Sequence, residues 1–189
     1  MAAMKQEEID YVDVALGFAS CAHKDQKRKY SGEPYVTHCM AVMELVAQQT
    51  DDMAVICAAV LHDTVEDTSV THEDIVLVFG ERVAELVMEV TDTSKQEDGN
   101  RAARKQIDKE HLAKSSPEGA TIKLADLIDN TSSIVKYDKS FAQIYLSEKE
   151  SLLPFLSHGN EYLYLKAKKT LDRARLDMGI AHPRSNQPE

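Results

Sequence analysis

The segment Met53–Leu61 is nine residues without a polar side chain, and it runs straight into His62-Asp63-Thr64-Val65-Glu66-Asp67-Thr68. A surface helix keeps one polar face, whereas a helix that is apolar all round has to be enclosed by other elements. Asp51 and Asp52 offer an N-cap and a first-turn acid at its start. The rest of the chain must therefore wrap around this helix, and its last turn emerges at the floor of a cleft. On a continuous helix His62 and Glu66 are four apart, Asp63 and Asp67 four apart, and Asp63 and Glu66 three apart. That spacing gathers an imidazole and three carboxylates on neighbouring strips of one surface. Carboxylates so close raise each other's pKa unless a cation or hydrogen bonds offset the charge, and a divalent metal is the economical answer. The competing reading is a capped helix end with a solvated acidic patch.

The enclosing elements are also expected to be helices. Hydrophobic residues make up 43% of the 189, aromatics only 6%, with seven Gly, five Pro and no Trp, a mix that favours helices over a strand-rich sandwich or barrel. Apolar spacing and cap residues predict helices at 7–22, 35–47 with Pro34 suited to the first turn, 71–79, 81–90, 101–113, 117–137 after a Ser116 cap, 141–155 and 161–178. The expectation is an all-α bundle of about eight helices with no significant sheet. The length fits one domain, placed at 1–181, with 182–189 a polar tail too poor in apolar residues to order itself.

Charge narrows the partners. The chain has 22 Lys and Arg against 32 Asp and Glu, a formal −10, which argues against nucleic-acid backbone or an anionic membrane as partner. An anionic ligand needs a local basic spot. Cys21, Cys39 and Cys57 form no C-x-x-C pair, so neither a disulfide framework nor a zinc knuckle is expected, and a reducing cytoplasm fits. The N-terminus has no apolar signal core, and the longest apolar run is nine residues against the roughly 20 that span a bilayer. Apolar helix faces leave a homodimer open.

Two further residues are candidates to complete a metal site. His38 sits among Val36, Cys39, Met40 and Val42, where a satisfied core histidine is the alternative. Asp126 lies in the otherwise apolar Ile122-Lys123-Leu124-Ala125-Asp126-Leu127-Ile128, where a carboxylate needs a partner; an ion pair with Lys123 is the alternative.

The order His38, His62-Asp63, Asp126 resembles the H…HD…D pattern of the HD-domain metal-dependent phosphohydrolases. More narrowly the chain resembles the hydrolase domain of the RelA/SpoT alarmone enzymes, above all the single-domain small alarmone hydrolases. The resemblance is carried by residues 22–29, Ser31-Gly32-Glu33-Pro34-Tyr35-Val36-Thr37-His38, residues 61–68, Phe79-Gly80 with 83–87, and Lys123-Leu124-Ala125-Asp126 with Asn130. It implies an HD-domain helical fold in which His38, His62, Asp63 and Asp126 hold one metal ion, commonly manganese. Glu66 and Asp67 would be the acidic pair flanking the reacting water, and Asn130 a substrate contact. A mixed nitrogen and oxygen set suits manganese or a similar octahedral ion better than a closed structural zinc site.

The implied substrate is guanosine tetra- or pentaphosphate, cleaved to GDP or GTP and pyrophosphate, without synthetase activity because no second catalytic domain is expected. The basic loop with Lys24, Lys27, Arg28 and Lys29 leads into the His38 helix. Arg28 is the best candidate to grip a pyrophosphate bidentately, with Lys29 and Lys123 weaker candidates. Tyr35 packs either on a base or on the core. Cys39, Leu127 and Asp129 depart from the family pattern and bear on base and 5′-phosphate recognition, as does the 91–100 loop. Other readings are an HD-domain hydrolase of another nucleotide (an adenosine alarmone, NADPH or a nucleoside monophosphate), or a silent nucleotide-binding or antitoxin-like module.

Overall fold

The computed structural model describes residues 6–179; the stretch expected to be a polar tail, 182–189, lies outside the described residues. The described residues form helices α1 (Gln6–Ala22), α2 (Val36–Ala47), α3 (Met53–Leu61), α4 (Thr64–Asp67), α5 (His72–Phe79), α6 (Glu81–Val90), α7 (Arg101–Leu112), α8 (Pro117–Tyr137), α9 (Lys139–Leu152) and α10 (Glu161–Asp177). The all-α expectation holds. Among the described residues the sole extended pairing is an isolated bridge between Lys27 and Pro34.

The apolar helix α3 is central. Val55 to Leu61 are all buried, and α1, α2 and α6 pack around the helix while α8 meets α2, α6 and α10. Its start is capped as expected, the Asp52 side chain accepting from the Ala54 N–H. Thr71 and Asp74 form a capping box on α5, and Ser116 accepts from the Gly119 N–H at the start of α8. Leu61 is fully buried at the end of α3. Leu61→Ala is therefore expected to cost about 2–5 kcal/mol, read as a lower urea midpoint at unchanged slope.

Three boundaries differ from the sequence expectation. The helix expected over 141–155 begins earlier, because the Asp138 side chain accepts from the Phe141 N–H, and it gives way to a 3₁₀ turn, Leu153–Leu156. Pro154 lacks the N–H that an α-helix needs there. Pro34 precedes α2 instead of starting it: Gly32, at φ 76, turns the chain so that Pro34 pairs with Lys27. That pairing folds the basic loop back over the N-terminus of α2. The third difference, a break after His62, shapes the site. No helix among the described residues is long and apolar enough to cross a membrane, and all three cysteines are free thiols.

Candidate metal centre and substrate cleft

The helix does not run on from α3 through Asp67. Asp63 adopts φ −99, ψ −2, and one further turn, α4, follows, closed by the Asp67 N–H on the Asp63 carbonyl at 2.9 Å. Thr64 Oγ1 donates to the Leu61 carbonyl at 2.7 Å, satisfying a group freed by the break. On an unbroken helix neighbours point about 100° apart. Here His62 and Asp63, adjacent in sequence, are both buried, while Glu66 and Asp67 are exposed.

Three helices bring the four expected ligands together. His38 Nε2 from α2, His62 Nε2 after α3 and an Asp126 carboxylate oxygen from α8 have ligand atoms within 4.8 Å of one another. Asp63 Oδ2 lies 3.5 Å from His38 Nε2 and 3.1 Å from His62 Nε2, and Asp126 Oδ1 is 3.3 and 4.0 Å from the same two nitrogens. Both rings are aimed by their other nitrogen. His62 Nδ1 is 2.9 Å from the Ala59 carbonyl and His38 Nδ1 is 2.7 Å from Asp129 Oδ2. Both partners only accept, which puts the hydrogen on Nδ1 and the lone pair on Nε2. Each Nε2 is buried with no hydrogen-bond partner.

Two lone pairs and two carboxylates converging in a buried pocket fit a divalent cation. The electrostatics agree. Burial opposes ionisation of Asp126, yet Lys123 and His38 hold it well below the usual carboxylate range; His62 and His38 do the same for Asp63. Burial disfavours a charged His38, but Asp126, Asp129 and Asp63 together push it up to about 11. Three carboxylates around one imidazole thus favour positive charge at this position, which suits a bound cation.

Asp129 is the residue that sequence reasoning noted only as a departure. Its Oδ2 takes the His38 Nδ1–H and also meets Arg28 Nη2 at 2.6 Å. One carboxylate thus orients a ligand and ties the basic loop to the metal helix. Its position three after Asp126 and one before Asn130 was the available signal, since i and i+3 share a helix face. Asp129→Ala is expected to weaken divalent-ion affinity by about 10–100-fold, measured by competition with a chelator.

Tyr35 neither stacks openly nor simply fills the core. Its hydroxyl donates to Asp63 Oδ2 at 2.6 Å and its ring lies 5.4 Å from that of His38, so it steadies the ligand set. Lys123 is buried with its Nζ 3.3 Å from both Asp126 Oδ2 and the Val90 carbonyl. The ion pair weighed as the alternative for Asp126 is therefore present beside the histidines. Asn130 Nδ2 donates to Asp126 Oδ1 at 2.5 Å.

One recess reaches His38 of the cluster, and a second opens beside Glu66. The smaller, about 130 Å³, is lined by Arg28, Lys29, Tyr35, His38, Asn130 and Ser133. Asp129 and Ser133 engage only Nη2 of Arg28, and the Lys29 side chain is 73% exposed. The larger, about 400 Å³, is bounded by Glu66, Asp92, Ser94, Arg101, Arg104 and Lys105. Glu66 Oε2 accepts the Asp92 N–H at 3.0 Å. Although the side chain meets solvent, crowding by protein desolvates the carboxyl and pushes it up to about 7; Lys123 opposes this, and Asp92 and Asp63 add to it. Asp67 is held by Gln26, whose Nε2 donates to Asp67 Oδ2 at 2.9 Å while its Oε1 faces His23 Nδ1 at 2.7 Å. Sequence reasoning missed Asp92, Arg104, Lys105 and Gln26. The α7 cations had no apolar helix or motif to tie them to the cleft.

A family model described as an HD domain matches residues 15–147. The chain belongs to the HD domain family. Within it, the chain is 34% identical over 175 residues to the Xenopus tropicalis guanosine-3′,5′-bis(diphosphate) 3′-pyrophosphohydrolase MESH1, covering 88% of this chain and 94% of that one. It is 42% identical over 118 residues to the Drosophila melanogaster protein of the same name, with 61% of this chain and 64% of that one aligned, just under two thirds of the fly protein. The solved structure of a metazoan SpoT ortholog, described as hydrolysing ppGpp, superposes with a TM-score of 0.78 at 29% identity, covering 92% of this chain and 98% of the other. The HD domain match spans His38, His62-Asp63 and Asp126 together with Glu66, Asp67 and Asn130.

Proposed function

We propose that this HD domain protein is a metal-dependent phosphohydrolase, with manganese as its ion, that removes the 3′-diphosphate from guanosine tetra- and pentaphosphate to give GDP or GTP and pyrophosphate. One observation carries the reading. Two buried, partnerless Nε2 atoms converge with Asp63 and Asp126 beside a recess lined by Arg28 and Lys29, with the upshifted Glu66 carboxyl at the edge of a second recess. Likeness to proteins named as 3′-pyrophosphohydrolases supports the choice of substrate.

Bound by His38, His62, Asp63 and Asp126, a divalent ion supplies Lewis acidity at phosphorus and eases loss of a proton from water. The chain's own groups do the rest. The Asp92 N–H fixes Oε2 of Glu66, leaving Oε1 to take the proton of the water that attacks phosphorus and to return one to the departing ribose 3′-oxygen. Asp67, steadied by Gln26, completes the acidic pair. Arg28 keeps Nε and Nη1 for a pair of phosphate oxygens, its loop pinned by Asp129. Asn130 and Lys29 line the same recess and complete the substrate contacts.

Product analysis tests this. Guanosine tetraphosphate should give one GDP and one pyrophosphate, seen as two distinct ³¹P patterns, with the adenosine analogue and NADPH as competing substrates. Release of single phosphates, or a higher kcat/KM for either competitor, overturns the substrate assignment.

A further inference from the structure

A cavity lies away from the metal centre, between the C-terminal half of α8, the start of α9 and the outer face of α10. It is an open-mouthed pocket of about 660 Å³, inside the range of small-molecule sites. Among the described residues, Lys136, Lys139, Lys166, Lys169 and Arg173 ring it, and Asp177 is the one carboxylate in its lining. In a chain of formal charge −10 this is a local reversal of sign. Arg173 is paired with Asp177 at 3.0 Å, whereas Lys139 and Lys169 meet no carboxylate among the described residues. Val135 and Ala174 supply apolar wall, and Thr131, Ser132 and Thr170 add hydroxyl-bearing side chains.

From this arrangement we infer a second ligand site, separate from the metal centre, that takes a nucleoside polyphosphate. Lysines on three helices supply charge for a phosphate chain from several directions. The apolar wall, together with the aliphatic stems of the lysines, suits a base or ribose. The net charge of −10 disfavours a long polyanion that would run beyond the pocket, which leaves a small molecule as the occupant. The site shares a helix with the centre: α8 carries Asp126 and Asn130 toward the metal and Thr131, Ser132 and Val135 into this pocket. A ligand here would therefore bear on the helix that holds a metal ligand. The inference does not depend on which nucleotide the centre hydrolyses.

The test is titration of the full-length ¹⁵N-labelled protein with GTP, following the amides of Val135 and Ala174 apart from those of His38 and His62. Saturable shifts at the first pair are expected, weakening as salt rises. In K139E/K169E these shifts should need about tenfold more GTP or above, with far-ultraviolet circular dichroism unchanged; K139Q/K169Q provides a milder pair should charge reversal perturb folding. Silence at Val135 and Ala174 up to several millimolar GTP overturns the inference. So does a response that both double variants leave intact, or an equal response to unphosphorylated guanosine. Tighter binding of a single-stranded oligonucleotide through the same lysines would replace it with a polymer site.

Discussion

Asp63→Ala is expected to yield a folded protein that carries less than about a tenth of a divalent ion per chain and has lost at least roughly 10³-fold in turnover. The magnitude follows from the several kcal/mol that Lewis-acid assistance contributes, at about 1.4 kcal/mol per factor of ten. The geometry makes this residue the most exposing choice. Asp63 Oδ2 is 3.1 Å from His62 Nε2 and 3.5 Å from His38 Nε2, so its loss removes charge from the centre of the cluster. Yet Asp63 is not part of the apolar packing, and α3 keeps its buried face from Val55 to Leu61. Metal content by mass spectrometry, with circular dichroism on the same sample, separates a lost ligand from a lost fold. A variant that kept a full equivalent of metal would remove Asp63 from the ligand set.

Glu66→Gln should behave oppositely toward the metal. Glu66 stands outside the four-ligand cluster, its Oε2 on the Asp92 N–H, and glutamine can still accept that hydrogen bond through its amide oxygen. The ion should stay, and kcat should fall by about 10²–10⁴-fold, the usual worth of a general acid–base group. The pH profile adds a second readout. Desolvation pushes the Glu66 carboxyl up to about 7, and the base form is the ionised one. Turnover in the parent should therefore climb as pH rises through that region, and the variant should lose this acidic limb. A Gln variant with the parent rate and the same limb would assign the titration to another group.

How much of this was legible in the sequence depends on the range of the signal. The enclosed helix α3 was written in nine apolar residues, and the caps at Asp52, Thr71 and Ser116 were local chemistry that the structure reproduces. The cluster of His38, His62, Asp63 and Asp126 was legible because His38 and Asp126 are polar residues set in apolar surroundings, His62-Asp63 ends an apolar helix, and the order matches a known pattern. The break at Asp63 was hidden: a four-residue turn following a helix preserves most of the helical spacing. The partnerships that tune the site span long separations. Arg28 finds Asp129, Tyr35 finds Asp63, and Glu66 finds the Asp92 backbone. Periodicity within one helix says nothing of which residue on another it will face. Arg104 and Lys105 look like ordinary solvated charges until α7 is placed beside Glu66.

The most direct test of the central claim uses protein stripped with a chelator and dialysed free of it. Pyrophosphate release from guanosine tetraphosphate is measured with and without added manganese. The structure predicts negligible release from the stripped protein and restoration of turnover near one equivalent of manganese per chain. Turnover that is unchanged by stripping, or that manganese fails to restore while the ion binds, would contradict a metal-dependent pyrophosphohydrolase built on His38, His62, Asp63 and Asp126.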